Sequence, residues 1–148
     1  MKKYFLVLFI LITGCQQTPN NKTQVYYSSP EMVGSLSYDN QPVINARIYL
    51  LTSCDDKSTA TDLSGYFALS PSCMDVIKHV PADELGFFYQ LVVDVGTEQL
   101  LWQISGLGYG FKYIKANIDL ATNMVVYQVS DDINPPYEKV DGLVLFNQ

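Results

Sequence analysis

An all-β sandwich of seven to eight short strands is the fold class this sequence predicts, and three observations predict it. Apolar and polar residues alternate at period two along most of the chain, and turn-forming residues interrupt the alternation roughly every ten positions. Aromatic residues make up 13% of the chain, with 11 Tyr, which suits a pleated, half-buried surface. The third is size and balance: 148 residues, 48% hydrophobic and 16% charged, allow one domain with a core and exclude wholesale disorder.

The first element is a targeting segment. Lys2 and Lys3 precede an unbroken apolar run of nine residues, 4–12. A spanning helix needs about 20 such residues, so the run is too short to cross a bilayer and stay there. Ile12-Thr13-Gly14-Cys15 follows. An apolar residue, two small ones and a cysteine resemble the lipobox of bacterial lipoproteins. That resemblance implies cleavage after residue 14 and a lipid on Cys15. Residue 16 is Gln, where Asp would resemble an inner-membrane retention signal, so the expected location is the outer membrane, facing the periplasm. The expected organisation is a signal peptide over residues 1–14, a lipidated cysteine and polar tether over 15–30, a sandwich over 31–130, and a tail over 131–148.

The tether begins QQTPNNKTQ, which is polar and without periodicity. Nine such residues extend to about 30 Å, enough to hold a domain clear of a bilayer. From Val25 strands are expected. Met32, Gly34, Leu36 and Tyr38 share a phase, Asp39-Asn40-Gln41-Pro42 turns the chain, and Ala46, Ile48 and Leu50 share the next phase. Residues 59–61 and 66–69 read as the arms of a hairpin around the turn at 62–65. Residues 74–79 read as the only short helix. Residues 87–95 and 98–104 form two strands around Gly96-Thr97, residues 106–110 a loop, and 112–120 and 124–129 two more strands. The tail carries an expected edge strand over 142–146.

Part of this pattern has a family likeness. The segment VGSLSYDNQPVINARIYLL, with TATDLSGYF beyond a loop, resembles the carboxypeptidase regulatory-like branch of the transthyretin-like sandwiches. The positions concerned are Gly34, Pro42, Val43, Ala46, Ile48, Thr61, Asp62, Gly65 and Phe67, and Gly often stands in that family where this chain has Asn45. Pro81, Glu84, Gln90 and Trp102 more loosely resemble spacings in short bacterial proteins of unknown function with this fold. The likeness covers about 70 residues. Its motif residues build a fold and bring no active site, and immunoglobulin-like packing has the same general architecture.

Few residues suggest chemistry. Cys54 and Cys73 are the thiols left once Cys15 is lipidated, and an oxidising envelope favours a disulfide between them. Both are expected at the ends of neighbouring strands. His79 is the sole histidine, and no serine sits in a nucleophile elbow, so no catalytic residue and no metal site is assigned. Asp55, Asp56 and Asp62, and Asp131, Asp132 and Asp141, read as solvated loops without a calcium-loop spacing. Gly106-Leu107-Gly108-Tyr109-Gly110 lacks the Lys and helix of a phosphate loop. It is expected to protrude, with Leu107, Tyr109 and Phe111 as a partner-binding tip.

Loss of Lys2 and Lys3 leaves 7 basic against 15 acidic side chains, a net charge near −8, which argues against nucleic acid. The expected function is therefore a membrane-anchored, non-enzymatic interaction or structural module without a cofactor, whose partner is an envelope protein or a glycan. Two alternatives are kept. The tyrosines and Trp102 could form a sugar-stacking platform of a carbohydrate- or peptidoglycan-binding lipoprotein. Arg47-Ile48-Tyr49-Leu50 resembles a strand of the lipidated adaptors of type VI secretion systems, although the Asp-x-x-Gly-x-Phe turn does not.

Overall fold

A computed structural model describes residues 24–71, 73, 76–78, 81–130 and 139–146. Along them run Gln24–Tyr26 (β1), Glu31–Tyr38 (β2), Gln41–Pro42 (β3), Arg47–Thr52 (β4), Asp56–Ala60 (β5), Tyr66–Leu69 (β6) and Val76–Lys78 (β7). Gly86–Val95 (β8), Glu98–Leu107 (β9), Tyr113–Asp119 (β10), Met124–Ser130 (β11), Lys139–Gly142 (β12) and Val144–Leu145 (β13) complete them. Eight strands, β2, β4, β5, β6 and β8 to β11, form the body of the fold; the sequence predicts seven to eight, and the described residues hold thirteen in all. The additional strands are clips of two to four residues.

Alternation puts the apolar residues between two sheets. One sheet has the order β12-β11-β10-β2-β3, with β6 also pairing β2. The other has the order β13-β9-β8-β4-β5 and is antiparallel throughout. Met32, Leu36, Phe67, Ile114, Ile118 and Val125 face Ile48, Leu50, Tyr89, Leu91, Val93 and Trp102, and all of these are almost fully buried. Burying a side chain of this size contributes about 1.5–3 kcal/mol, so the fold is an all-β sandwich held by its interior.

Among the described residues the one parallel pairing lies at the centre of the first sheet, where β2 runs beside β10 from Glu31↔Tyr113 to Ser37↔Asp119. Gly34 makes it fit. A Cβ at Gly34 would overlap the Ala116 carbonyl oxygen and lie 2.7 Å from Phe67 Cζ. The missing side chain thus admits both the neighbouring strand and the Phe67 ring.

The remaining motif residues pin the crossovers between sheets. Thr61 is buried, its hydroxyl donating to Val43 O at 2.6 Å and accepting from Ala46 N–H at 2.9 Å. Asn45 takes φ 57°, a left-handed angle that Asn and Gly tolerate best. Gly65, with φ 75°, lets the turn close against Leu36, whose N–H donates to Gly65 O at 2.8 Å.

Four expectations change. Residues 59–61 and 66–69 are not a hairpin: β5 pairs β4 while β6 pairs β2 in the other sheet, because the buried Thr61 turns the chain across the sandwich. The expected helix over 74–79 is replaced in its described part by β7, which pairs β1 antiparallel. Gly106 and Leu107 belong to β9 and not to a loop, since they pair with Phe87 and Gly86. The single edge strand expected over 142–146 divides into β12 on one sheet and β13 on the other, with Leu143 buried between them.

Cys54 and Cys73 form the expected disulfide, with Cα atoms 6.4 Å apart. Closing a loop of 19 residues contributes roughly 3 kcal/mol in the chain-entropy model. It also ties the segment that leads into β7 to the end of β4.

Candidate functional site

The outward phase of the six-stranded sheet builds the best-formed hollow. Three rows cross it. The first joins Glu31, Tyr113 and Ser130; the second joins Ala68, Val33, Lys115 and Gln128; the third joins Tyr66, Ser35, Asn117 and Val126. Small residues at Ala68, Val33 and Ser35 leave a depression between larger neighbours. It has a volume of about 260 Å³ and is lined by Glu31, Val33, Tyr66, Tyr113, Ile114, Lys115 and Gln128.

Each wall has a local cause. Tyr66 opens β6 directly after the turn whose Asp62 carboxylate accepts Ser64 Oγ–H at 2.7 Å, Ser64 N–H at 2.8 Å and Tyr66 N–H at 3.0 Å. The Ser64 hydroxyl first, then the two backbone donors, hold the Asp62 carboxyl below its ordinary value. That turn fixes where Tyr66 leaves the backbone, and its ring stands 44% exposed. Tyr113 is half-buried, with Lys112 Nζ 5.3 Å from its ring centroid. Gln128 is 8% exposed, set down among its neighbours on the outer face. Ser35 Oγ–H donates to Asn117 Oδ1 at 3.0 Å, tying the two central strands along the rim. The arrangement offers two phenol rings, a carboxylate, an ammonium and an amide around an apolar floor. It can take up a small ligand through side chains.

A wider hollow of about 610 Å³ lies at one end of the other sheet, along Asp94, Gly96, Thr97, Glu98, Gln99, Leu145 and Phe146. Asp94 there already accepts Gln99 Nε2–H at 2.8 Å, and a two-residue strand forms one wall. Among the described residues no group of three His, Cys, Asp or Glu side chains is placed to hold a metal ion, and no helix is long and apolar enough to cross a membrane.

The residues singled out from sequence scatter. Cys15, His79, Asp131 and Asp132 lie outside the described residues. Leu107 is 76% exposed, and of the other two members of the expected tip Phe111 packs against the core. Tyr109 is half-buried, and its carbonyl accepts Tyr27 N–H at 2.7 Å. Phe111 packs edge-on against Phe87, centroids 5.0 Å apart, with Lys139 Nζ 5.4 Å from its ring. Phe111 is thus drawn onto the core, while Leu107 is exposed and Tyr109 half-buried. Asp55 and Asp141 are used locally, accepting the N–H of Asp56 at 2.9 Å and of Gly142 at 2.8 Å. Trp102, 1% exposed, lies in the core against Tyr127 and is no platform; among the described residues its Nε1 has no hydrogen-bond partner, so packing alone holds it.

Sequence reasoning missed the cleft. Its residues come from four strands distant in sequence, and the signal that could have found it is the outward phase: small residues on β2 and β6 beside Tyr on β6 and β10.

No family model matches this chain, and neither a curated protein nor a solved structure matches it. The fold and the site define a class: an all-β sandwich with a side-chain-lined cleft on one outer face.

Proposed function

We propose that the protein is an envelope lipoprotein, lipidated on Cys15, whose sandwich is a transthyretin-like, carboxypeptidase regulatory-like domain acting as a non-enzymatic binding module. The observation that carries this reading is the cleft itself. It sits on a rigid, doubly paired part of a sheet, and its polar groups surround an apolar floor in the manner of a recognition surface. The short apolar run and the Ile-Thr-Gly-Cys sequence support the anchor.

The way the chain joins the sandwich also suits a tethered domain. Tyr27 and Glu31 are bonded to Tyr109 O and Lys112 O. Tyr26 Oη–H donates to Gly86 O at 2.8 Å, and Tyr89 Oη–H donates to Tyr27 O at 2.5 Å. A pull on the tether is thereby shared between both sheets.

The test is a fractionation of cells fed labelled fatty acid. The wild type should carry label and sediment with membranes, and Cys15→Ser should lose both. Equal labelling of the two forms would refute the anchor. Turnover of a glycan, ester or peptide by the purified protein would refute the non-enzymatic part.

A further inference from the structure

We infer that the cleft between Tyr66 and Tyr113 takes one pyranose ring of an uncharged glycan. This inference rests on reading the sandwich as a binding module and names the ligand class of that module.

Four observations lead there. The volume, about 260 Å³, lies below the roughly 300–1,000 Å³ of sites for drug-sized ligands, so the cleft accommodates a single small ring. Two phenol rings stand on it from different strands, and a phenol face packs well on the C–H face of a sugar ring. Glu31, Lys115 and Gln128 supply acceptors and donors together, which matches hydroxyls that both donate and accept. Finally, Glu31 and Lys115 bring one charge of each sign to the lining, and the Lys112 ammonium beside it sits 5.3 Å from the Tyr113 ring centroid, so the lining itself is not a cluster of like charges.

The strand pairing argues against an extended peptide. Such a peptide binds a sheet by adding a strand to a free edge, with main-chain hydrogen bonds supplying affinity. The cleft floor belongs to β2 and β10. β2 is paired on both sides by β10 and by β6, and β10 by β2 and β11. Among the described residues β6, which carries Tyr66, pairs β2 alone, so a strand added there would lie beyond the Tyr66 wall and not across the floor, where recognition falls to side chains.

The N-acetylated and plain hexoses share this chemistry, and the test separates them. The full-length chain in detergent is titrated with N-acetylglucosamine tetramer, with maltotetraose and with a short neutral peptide, while backbone amide resonances are followed. One or both sugars should shift residues of β2, β6 and β10 around Val33, Tyr66 and Lys115. Response to the acetylated sugar alone would assign the ligand to amino-sugar glycans, and response to maltotetraose would assign it to plain hexoses. Tyr66→Ala should weaken binding at least tenfold, and Tyr66→Phe, which keeps the ring, should stay within threefold of wild type. Val33→Phe fills the floor and should abolish binding, a second route to the same result from another strand.

No shift with either sugar, shifts with the peptide alone, or unchanged affinity in both Tyr66→Ala and Val33→Phe would overturn the glycan assignment. A lipidated, membrane-bound protein that fails these titrations would leave the module reading standing without its ligand class. Sugar binding accompanied by turnover would keep the ligand and overturn the non-enzymatic reading.

Discussion

Tyr89 and Tyr66 both sit on strands of the sandwich, yet they do opposite things, and the difference is one of phase. Tyr89 points inward and is almost fully buried. Its hydroxyl donates to Tyr27 O and accepts Phe111 N–H at 3.2 Å, so the polar end of a core residue fastens two loops. Tyr66 points outward and leaves its ring to solvent. A buried phenol has to satisfy its hydroxyl and becomes structural; an outward one on a sheet with small neighbours becomes the wall of a cleft. Residue type alone does not separate these roles.

The strongest way to break this arrangement is to attack the sheet that carries the outer ring. Gly34→Ala places a Cβ against the Ala116 backbone and the Phe67 ring. A backbone neighbour cannot rotate away, and overpacking of this kind costs about 3 kcal/mol. We expect a large drop in melting temperature, with loss of the amide resonances of β2 and β10 before those of β8 and β9. Near-native stability would show that the parallel pairing tolerates a side chain.

Tyr89→Phe sharpens the inner half of the comparison. It keeps the ring stacked on Phe87, centroids 5.4 Å apart, and removes only the hydroxyl. Tyr27 O and Phe111 N–H lose their shared partner, at a cost of roughly 2 kcal/mol. Hydrogen exchange should speed up at Tyr27 and Phe111 and stay slow in β4. Gly110 lies against the same hydroxyl, with φ 79°; its closeness to Tyr89 Oη and Tyr27 O leaves no space for a side chain.

The smallest effect is expected at the turn that sets Tyr66. The folded Asp62 carboxyl is held below its ordinary value of 3.8. A depressed folded pKa contributes stability that is present above the unfolded value and is lost as pH falls through the folded one. Wild-type melting temperature should therefore decline slightly below the ordinary carboxylate range, and Asp62→Asn should show less of that decline. An identical acid slope in the two proteins would mean that the turn does not depend on the charge.

Much of the fold is legible in the sequence wherever the information is local. The strand at 66–69 is expected and observed with the same bounds, because a turn precedes it and its alternation is clean. The inward sets Met32, Gly34 and Leu36, and Phe87, Tyr89, Leu91 and Val93, follow from period two. The disulfide follows from two cysteines near strand ends. Gly106 misleads for a physical reason. A glycine reads as a turn signal, but here it lies opposite Phe87, and a Cβ would come within 3.0 Å of the Phe87 ring. It is a space for an aromatic side chain within a continuing strand.

What the sequence alone determined is the period: which residues face in, where turns fall, and that one apolar layer must be covered by another. What only the tertiary structure decided is adjacency. The transfer of β6 to the sheet of β2, the parallel contact of β2 with β10, and the division of the C-terminal segment between both sheets depend on partners far away along the chain. The pairing of β7 with β1 depends on them as well. Hydrogen bonds between strands use the same backbone groups whatever the side chains, so the choice of neighbour is made by packing of the whole. The cleft is a product of that choice, since Val33, Tyr66, Tyr113 and Gln128 become neighbours only once the strands are set side by side.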